Sequence, residues 1–314
     1  MIECTKHQEN NSNRDLTIFF AITFIFSWLI WLPSVLVSQG VIVLPDWVGL
    51  VTNIATFGPA VGAITVIGFK SGKTGLKELL SKLIRVGFDR KWWIIIFLLI
   101  PVITGISYVI AVPLSGDTWD TGFMWSTLIN VFIMFFIGGP LGEELGWRGY
   151  ALESLQKKKS ALMSSLILGL IWGVWHLPLH FMKGSTQWYI PIWAFILLQL
   201  VISILYTWIY NNTKSVLAVM IFHWMGNAAA MLLPFWQKGF LALPFFPNYA
   251  VSSPSLLEVF SINNGVIFTH PNLWIPSVGM LVVFVLNLIV AVIVLSIWGP
   301  KKLRRKKELI SKIE

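Results

Sequence analysis

The sequence predicts an all-α protein: a polytopic membrane bundle of about eight transmembrane helices with both termini in the cytosol. Of its 314 residues, 56% are apolar and 12% are charged, and the mean hydropathy is +0.76. These values are typical of membrane proteins and exclude an ordinary soluble domain. The single cysteine, Cys4, excludes an intramolecular disulfide and argues against a cysteine-based metal site.

Eight apolar runs are long enough to cross about 30 Å of hydrocarbon, which requires roughly 20 helical residues. They are 16–38, 48–69, 91–113, 123–156, 160–182, 188–210, 215–233 and 273–298. The fourth run is too long for one straight span and contains Gly138-Gly139-Pro140. A proline removes a helical hydrogen bond, so a break is expected there. The first run lacks a clear cleavage site, which favours a retained helix over a signal peptide.

The basic residues determine the predicted orientation. Twenty Lys and Arg residues lie on the side assigned to the cytosol, and two, Lys183 and Lys238, lie on the other. This asymmetry follows the positive-inside rule and predicts that both termini are cytosolic. A multi-pass protein of the cell membrane is expected, and the size and style of the chain favour a bacterial plasma membrane. The net charge of +9 lies in loops and the tail, so it does not indicate nucleic-acid binding.

The chain is predicted to form a single membrane domain over 1–314, with a catalytic core at about 123–233. Residues 234–272 would form an extracytosolic loop, rich in Pro and Phe. Residues 299–314 would form a basic cytosolic tail lying against anionic lipid headgroups.

Ionisable residues inside apolar runs are costly, and they therefore point to a functional site. The fourth run carries Glu143, Glu144 and Arg148. Glu144 and Arg148 are four residues apart and share a helix face, so an ion pair is expected. Glu143 points about 100° away and is free to face something else.

Three further polar residues interrupt later runs, namely His176, His223 and Asn227. From the helical rise, Glu143 and His176 lie about 21 and 24 Å from the predicted cytosolic edge, and His223 lies roughly 14 Å deep. These depths are compatible with one shared cavity. His223 and Asn227 are four residues apart and share a helix face.

An acid, two histidines and an amide at one depth suit hydrolysis by direct attack of water on a peptide bond. A carboxylate removed from bulk water can act as a general base, and a histidine can hold the same water or carry its proton. Histidine and asparagine N–H groups on one face can donate to the developing oxyanion. No serine or cysteine nucleophile is needed.

The three motifs resemble those of the CAAX prenyl endopeptidase and Abi (CPBP) family of intramembrane proteases. GEELGWRGY resembles the family motif EExxxR, and HWMGN at 223–227 resembles HxxxN. IWGVWHLPLHF resembles the second motif, FxxxH, with Trp172 in the usual place of Phe. The family fold, an eight-helix bundle, agrees with the number of apolar runs.

The resemblance implies a role for each matching residue. Glu143 would activate water with help from His176, and His223 with Asn227 would form the oxyanion hole. Glu144 and Arg148 would support the site. Family members have been described both as metalloproteases and as glutamate proteases. The glutamate mechanism requires no metal, and a divalent metal such as zinc stays open.

Structural roles compete with these assignments. The pair Glu144–Arg148 is more typical of a structural ion pair than of catalytic groups, and Asn227 could simply bond another helix. His176 and His180 have the spacing of zinc-binding histidines, but Pro178 disturbs that geometry. His180 alone is expected at the membrane interface, and His7 and His270 are expected to be idle.

The leading interpretation is an intramembrane endopeptidase whose partners are the bilayer and a membrane-associated peptide or protein substrate. The substrate could be a prenylated CAAX-type tail, a leader peptide or a bacteriocin-related peptide. Two alternatives from other classes stay open. A proton-coupled transporter also uses intramembrane acids and histidines, although the sequence has no repeated halves. A non-enzymatic bacteriocin-immunity or binding protein is the other.

Overall fold

The computed structural model describes residues 2–45, 49, 51–115, 136, 138–233, 261–262, 265–266 and 276–304. The long helices in this part of the chain are α1 (Ile2–Ser38), α2 (Gly58–Ser81), α3 (Lys91–Ser115), α6 (Ala161–Trp175), α7 (Ile192–Thr213), α8 (Val216–Leu232) and α9 (Val278–Trp298). Two short helices, α4 (Pro140–Gly146) and α5 (Glu153–Gln156), flank a π-helical turn at Trp147–Leu152.

Shorter elements complete the described structure. There are 3-10 turns at Thr52–Phe57, Leu177–Phe181 and Gln187–Tyr189. A small antiparallel pair joins β1 (Ser261–Ile262) to β2 (Gly265–Val266), with Ser261 opposite Val266 and Ile262 opposite Gly265. The all-α prediction is confirmed.

Six helical segments of the described residues are long and apolar enough to cross a membrane. They are Asn13–Ser38, Thr52–Ser81, Lys91–Leu114, Ala161–Phe181, Ile192–Thr213 and Val278–Trp298, and each overlaps a predicted run. A shorter apolar helix, Val216–Ala230, overlaps the seventh. The first half of the fourth run and nearly all of 234–272 lie outside the described residues, so the count of eight and the orientation stay predictions.

Two boundaries refine the sequence-based prediction. The chain turns at Gly138-Gly139 and α4 begins at Pro140, where the break was predicted. In contrast, the helix that contains the second apolar run does not end at residue 69. α2 continues to Ser81, with a local break at Gly72, whose φ is 55°. The lysines of this segment are good helix formers, so a predicted cytosolic loop is partly helical.

Serine side chains fix the starts of three helices. Ser160, Ser215 and Ser277 accept hydrogen bonds from the amides of Met163, Ala218 and Met280, at 3.2, 3.1 and 3.1 Å. Each bond satisfies one of the amides that a helix start leaves unpaired. α6, α8 and α9 therefore begin at defined residues.

Pairs of glycines four residues apart bring the helices of the core into close contact. A Cβ at Gly142 would lie 2.6 Å from the Thr56 carbonyl oxygen, and one at Gly146 would overlap the Pro59 backbone. Gly169 brings α6 equally close to α7, since its Cβ would lie 2.7 Å from the Gln199 carbonyl oxygen. Small residues at this spacing let helix backbones touch, which is the usual way of packing helices in membranes.

The π-helical turn after α4 is held by a buried lysine. Lys82 Nζ donates to the carbonyl oxygen of Gly149 at 2.9 Å and to Glu153 Oε2 at 2.6 Å. The hydroxyl of Tyr210 donates to the other oxygen of Glu153. A π turn shifts the backbone hydrogen bonds by one residue, and such turns are frequent at functional sites.

The beginning of the C-terminal tail folds back onto the bundle. The carbonyl oxygens of Lys301 and Pro300 accept hydrogen bonds from the amides of Ala161 and Leu162, at 2.9 and 3.0 Å. The side chain of Leu303 is fully buried. Residues 300 and 301 therefore satisfy free amides at the start of α6, and the side chains of Lys301, Lys302 and Arg304 are exposed. The contact of the tail with lipid headgroups stays a prediction, and residues 305–314 lie outside the described part.

We expect Gly146→Ala to lower the apparent melting temperature of the detergent-solubilised protein. The added methyl group would push α4 away from the Pro59 backbone, and overpacking of this kind costs about 1–3 kcal/mol. Gly68→Ala is the matched control, because its Cβ would lie 3.9 Å from the nearest atom, a Leu76 methyl carbon. Equal melting temperatures for the two variants would contradict the role given to Gly146.

Candidate active site

The side chain of Trp172, on α6, lies at the centre of the polar residues that interrupt the apolar runs. Its indole Nε1–H donates to Glu143 Oε2 at 2.6 Å. The centroid of its ring lies 5.8 Å from that of His176 and 5.4 Å from that of His223. Residues from α4, from the end of α6 and from α8 are therefore gathered around one buried indole.

The two adjacent glutamates face different partners, as their separation of about 100° on the helix predicts. Glu143 is 4% exposed and accepts the bond from Trp172. Glu144 is fully buried and accepts from Arg148 Nη1 through both oxygens, at 3.0 and 2.9 Å. Its Oε1 also lies 2.8 Å from His223 Nδ1. The expected Glu144–Arg148 ion pair is present and extends to a histidine on another helix.

The guanidinium of Arg148 packs against two neighbouring aromatic rings. Its central carbon lies 4.6 Å from the centroid of Trp172 and 4.5 Å from that of Tyr206. Its Nε and Nη2 make no hydrogen bond within the described residues. The electron-rich ring faces partly replace the missing acceptors, since a cation is attracted to the face of Trp or Tyr.

The ring of His176 is oriented by the way α6 ends. The helix stops at Trp175, because Pro178 has no amide hydrogen with which to continue it. The carbonyl oxygen of Trp172, left without a helical partner, lies 2.8 Å from His176 Nδ1. A carbonyl can only accept, so Nδ1 carries the proton, and Nε2 of the neutral ring presents a lone pair.

His223 and Asn227 lie one turn apart on α8. His223 is buried and directs Nδ1 to Glu144, which leaves Nε2 as its available ring nitrogen. Asn227 is half-buried and makes no hydrogen bond with the residues that the structure describes. An unpaired amide next to a histidine can serve as a donor to a ligand.

His180 is buried inside the protein, and its position at the level of the membrane interface stays a prediction. It is fully buried, and its Nδ1 lies 3.1 Å from the Ile190 carbonyl oxygen. The 3-10 turn Leu177–Phe181 replaces the α-helical geometry that a zinc-binding pair with His176 would need. Among the described residues, no three His, Cys, Asp or Glu side chains are grouped to hold a metal ion. The side chain of His7 and all of His270 lie outside the described part.

Sequence reasoning missed two features of this site. Tyr206 covers Arg148, but several aromatic residues of the sixth run could have done so, and the pattern does not single one out. The indole N–H of Trp172 was also missed, because this residue was considered only as an aromatic replacement for Phe. A buried carboxylate requires a hydrogen-bond donor, and this requirement could have indicated that the indole N–H of Trp172 binds Glu143.

Comparisons with known proteins find similarity to one family of membrane proteases. A family model described as Type II CAAX prenyl endopeptidase Rce1-like matches residues 124–229, a range that includes all three motifs. The chain is also 28% identical over 237 residues to a protein of Methanococcus maripaludis named CAAX prenyl protease 2. That alignment covers 70% of this chain and 85% of the relative.

We expect Arg148→Met to destabilise the fold strongly. It would leave Glu144 buried with His223 as its remaining partner, and breaking a buried ion pair costs about 3–5 kcal/mol. Thermal unfolding in detergent, followed by intrinsic fluorescence, measures the effect. Lys91→Met is the control, because it removes a solvent-exposed ion pair. The side chains of Lys91 and Asp89 are 68% and 56% exposed. The buried pair would have no structural role if both variants unfolded at the wild-type temperature.

Proposed function

Because the chain belongs to the CAAX prenyl endopeptidase and Abi family of intramembrane proteases, we propose that it hydrolyses peptide bonds within the membrane with water activated by Glu143. The observation that carries the proposal is the gathering of Glu143, His176 and His223 around Trp172, from separate parts of the chain. Isolated polar residues in a bundle would have no reason to meet at one point.

Glu143 is the general base of this proposal. Its Oε2 is occupied by the indole of Trp172, while Oε1 accepts no hydrogen bond from the described residues. This free oxygen takes a proton from a water molecule whose other hydrogen is held by His176 Nε2. The water oxygen forms a bond to the peptide carbonyl carbon. As the C–N bond then breaks, the proton held by Glu143 passes to the departing amine nitrogen.

His223 and Asn227 stabilise the oxyanion that forms during the attack. For His223 to donate from Nε2 while Nδ1 faces Glu144, the ring must carry both protons. The amide of Asn227, one turn away, supplies a second donor.

The proposed substrate is a peptide or protein tail anchored at the membrane. The relative from Methanococcus maripaludis is named a CAAX prenyl protease, and we extend that substrate class to this chain. A prenyl group would hold the peptide in the bilayer. The proposed site would be accessible from there, because apolar candidate spans surround the helices that carry its residues. Leader peptides and bacteriocin-related peptides offer the same scissile bond in the same setting.

We expect Glu143→Gln to abolish cleavage of a farnesylated peptide with a C-terminal CAAX sequence by the protein reconstituted in liposomes. An amide cannot accept the proton of the attacking water, so the rate should fall by roughly 10²–10⁴-fold. Glu78→Gln, which changes an exposed glutamate of α2, is the control and should cleave like the wild type.

Two results would contradict this proposal. Glu143→Gln could cleave the peptide as fast as the wild type, which removes Glu143 from the chemistry. Alternatively, the wild type could leave farnesylated, leader and bacteriocin-type peptides uncut while moving protons across the liposome membrane in a Glu143-dependent way. That second result would favour the transporter hypothesis.

Asn227→Ala tests the oxyanion role. Loss of one donor to the oxyanion should reduce kcat by roughly 10²–10³-fold and leave KM nearly unchanged. The melting temperature should stay at the wild-type value, because Asn227 makes no hydrogen bond within the described structure. Asn53→Ala, at an exposed position, is the matched control. A variant that kept wild-type kcat would rule out Asn227 as a donor.

A further inference from the structure

Trp172 differs from the residue that usually occupies its place in the motif FxxxH. Phenylalanine has no hydrogen-bond donor, whereas the indole of Trp172 donates to Glu143 Oε2 at 2.6 Å. Trp172 is 2% exposed, so water does not compete for this bond. The replacement therefore adds a donor aimed at the proposed general base.

We propose that Trp172 is a positioning residue that fixes the carboxylate of Glu143 for the attack of water. This inference rests on the proposed function. Its N–H binds Oε2, which leaves Oε1 to take the proton of water and limits rotation of the carboxylate. A bond to a charged acceptor is stronger than one between neutral groups, so it can hold this orientation.

The indole can do this because contacts with two neighbouring side chains fix its own orientation. One face packs against the guanidinium of Arg148, 4.6 Å away, and the ring of Tyr206 lies 5.4 Å away in an edge-to-face contact. Arg148 is in turn held by Glu144. The buried ion pair of Arg148 and Glu144 thus influences, through Trp172, where the base points.

The backbone of the same residue orients the second proton-handling group. The carbonyl oxygen of Trp172 accepts from His176 Nδ1 at 2.8 Å. Glu143 and His176 are therefore both hydrogen-bonded to Trp172. Glu143 contacts the side chain of Trp172, and His176 contacts its main-chain carbonyl. Their relative placement depends on a single rigid unit of α6.

The alternative is that Trp172 only fills space, and an isosteric replacement distinguishes the two roles. 3-Benzothienylalanine at position 172 keeps the shape of the ring and replaces the N–H with sulfur. Relative to the wild type, we expect kcat for the farnesylated CAAX peptide to fall roughly 10- to 100-fold, with KM unchanged. Trp172→Phe should lose kcat in the same way.

The control is the same replacement at Trp208. This tryptophan of α7 is also buried, and its Nε1 makes no hydrogen bond within the described residues. Replacing its N–H with sulfur should leave kcat unchanged. A fall of equal size at both positions would mean that the replacement itself perturbs the bundle, and it would overturn the specific role of Trp172.

A spectroscopic measurement tests the bond without relying on activity. Ultraviolet resonance Raman difference spectra, wild type minus Trp172→Phe, isolate the indole band that reports N–H hydrogen bonding. We expect a strongly bonded indole that becomes unbonded in the Glu143→Leu background. An unbonded indole in the wild type would overturn the inference whether or not the protein cleaves peptides.

The two proposals fail in different ways. Wild-type kcat in the benzothienylalanine protein, together with an inactive Glu143→Gln variant, would overturn the positioning role and leave the proposed function standing. Full activity of Glu143→Gln would instead overturn the proposed function, and with it the meaning of any change at Trp172.

Discussion

The site depends on holding two adjacent carboxylates, Glu143 and Glu144, in the interior of a helical bundle, where Arg148 pairs with the second of them. Arg148 pairs with Glu144, and its guanidinium also packs against the rings of Trp172 and Tyr206. Such a buried pair contributes little net stability, because the cost of desolvating both charges nearly equals their attraction. Its value lies in geometry, since Glu144 also reaches His223 and the guanidinium supports the ring that binds Glu143.

Close helix packing brings these groups together. Gly142 and Gly146 flank the acid pair on α4 and let this helix touch the backbone of Thr56 to Pro59. Gly169 and Gly173, on either side of Trp172, do the same for α6 against α7. The close contacts at these glycines thus also determine how the side chains between them, those of Glu143, Glu144 and Trp172, are placed relative to each other.

Much of this arrangement could be predicted from the sequence. Apolar runs locate the helices, the helical angle separates the two glutamates, and the i, i+4 spacing predicts the pair of Glu144 with Arg148. The depth estimate brought Glu143, His176 and His223 to similar levels, and the structure places all three against Trp172. Local rules suffice where a contact follows from helix geometry alone.

The remaining features depend on contacts between helices that the sequence does not encode locally. Nothing near Tyr206 indicates that it would cover Arg148, and nothing near His223 indicates that it would face Glu144. Nothing near His180 indicates which residues would bury it, and the chain folds back so that the Ile190 carbonyl oxygen and the Phe195 ring contact it. The local effect of Pro178 on α6 was visible, but its consequence for the proton position on His176 was not.

The most direct test of this account is an experimental structure of the protein in a lipid nanodisc, at a resolution that reveals bound water. The account predicts one ordered water molecule within hydrogen-bond distance of both Glu143 Oε1 and His176 Nε2, with the indole of Trp172 on Oε2. A structure in which Glu143 faces the acyl chains, or in which His176 and His223 lie apart from it, would contradict the account.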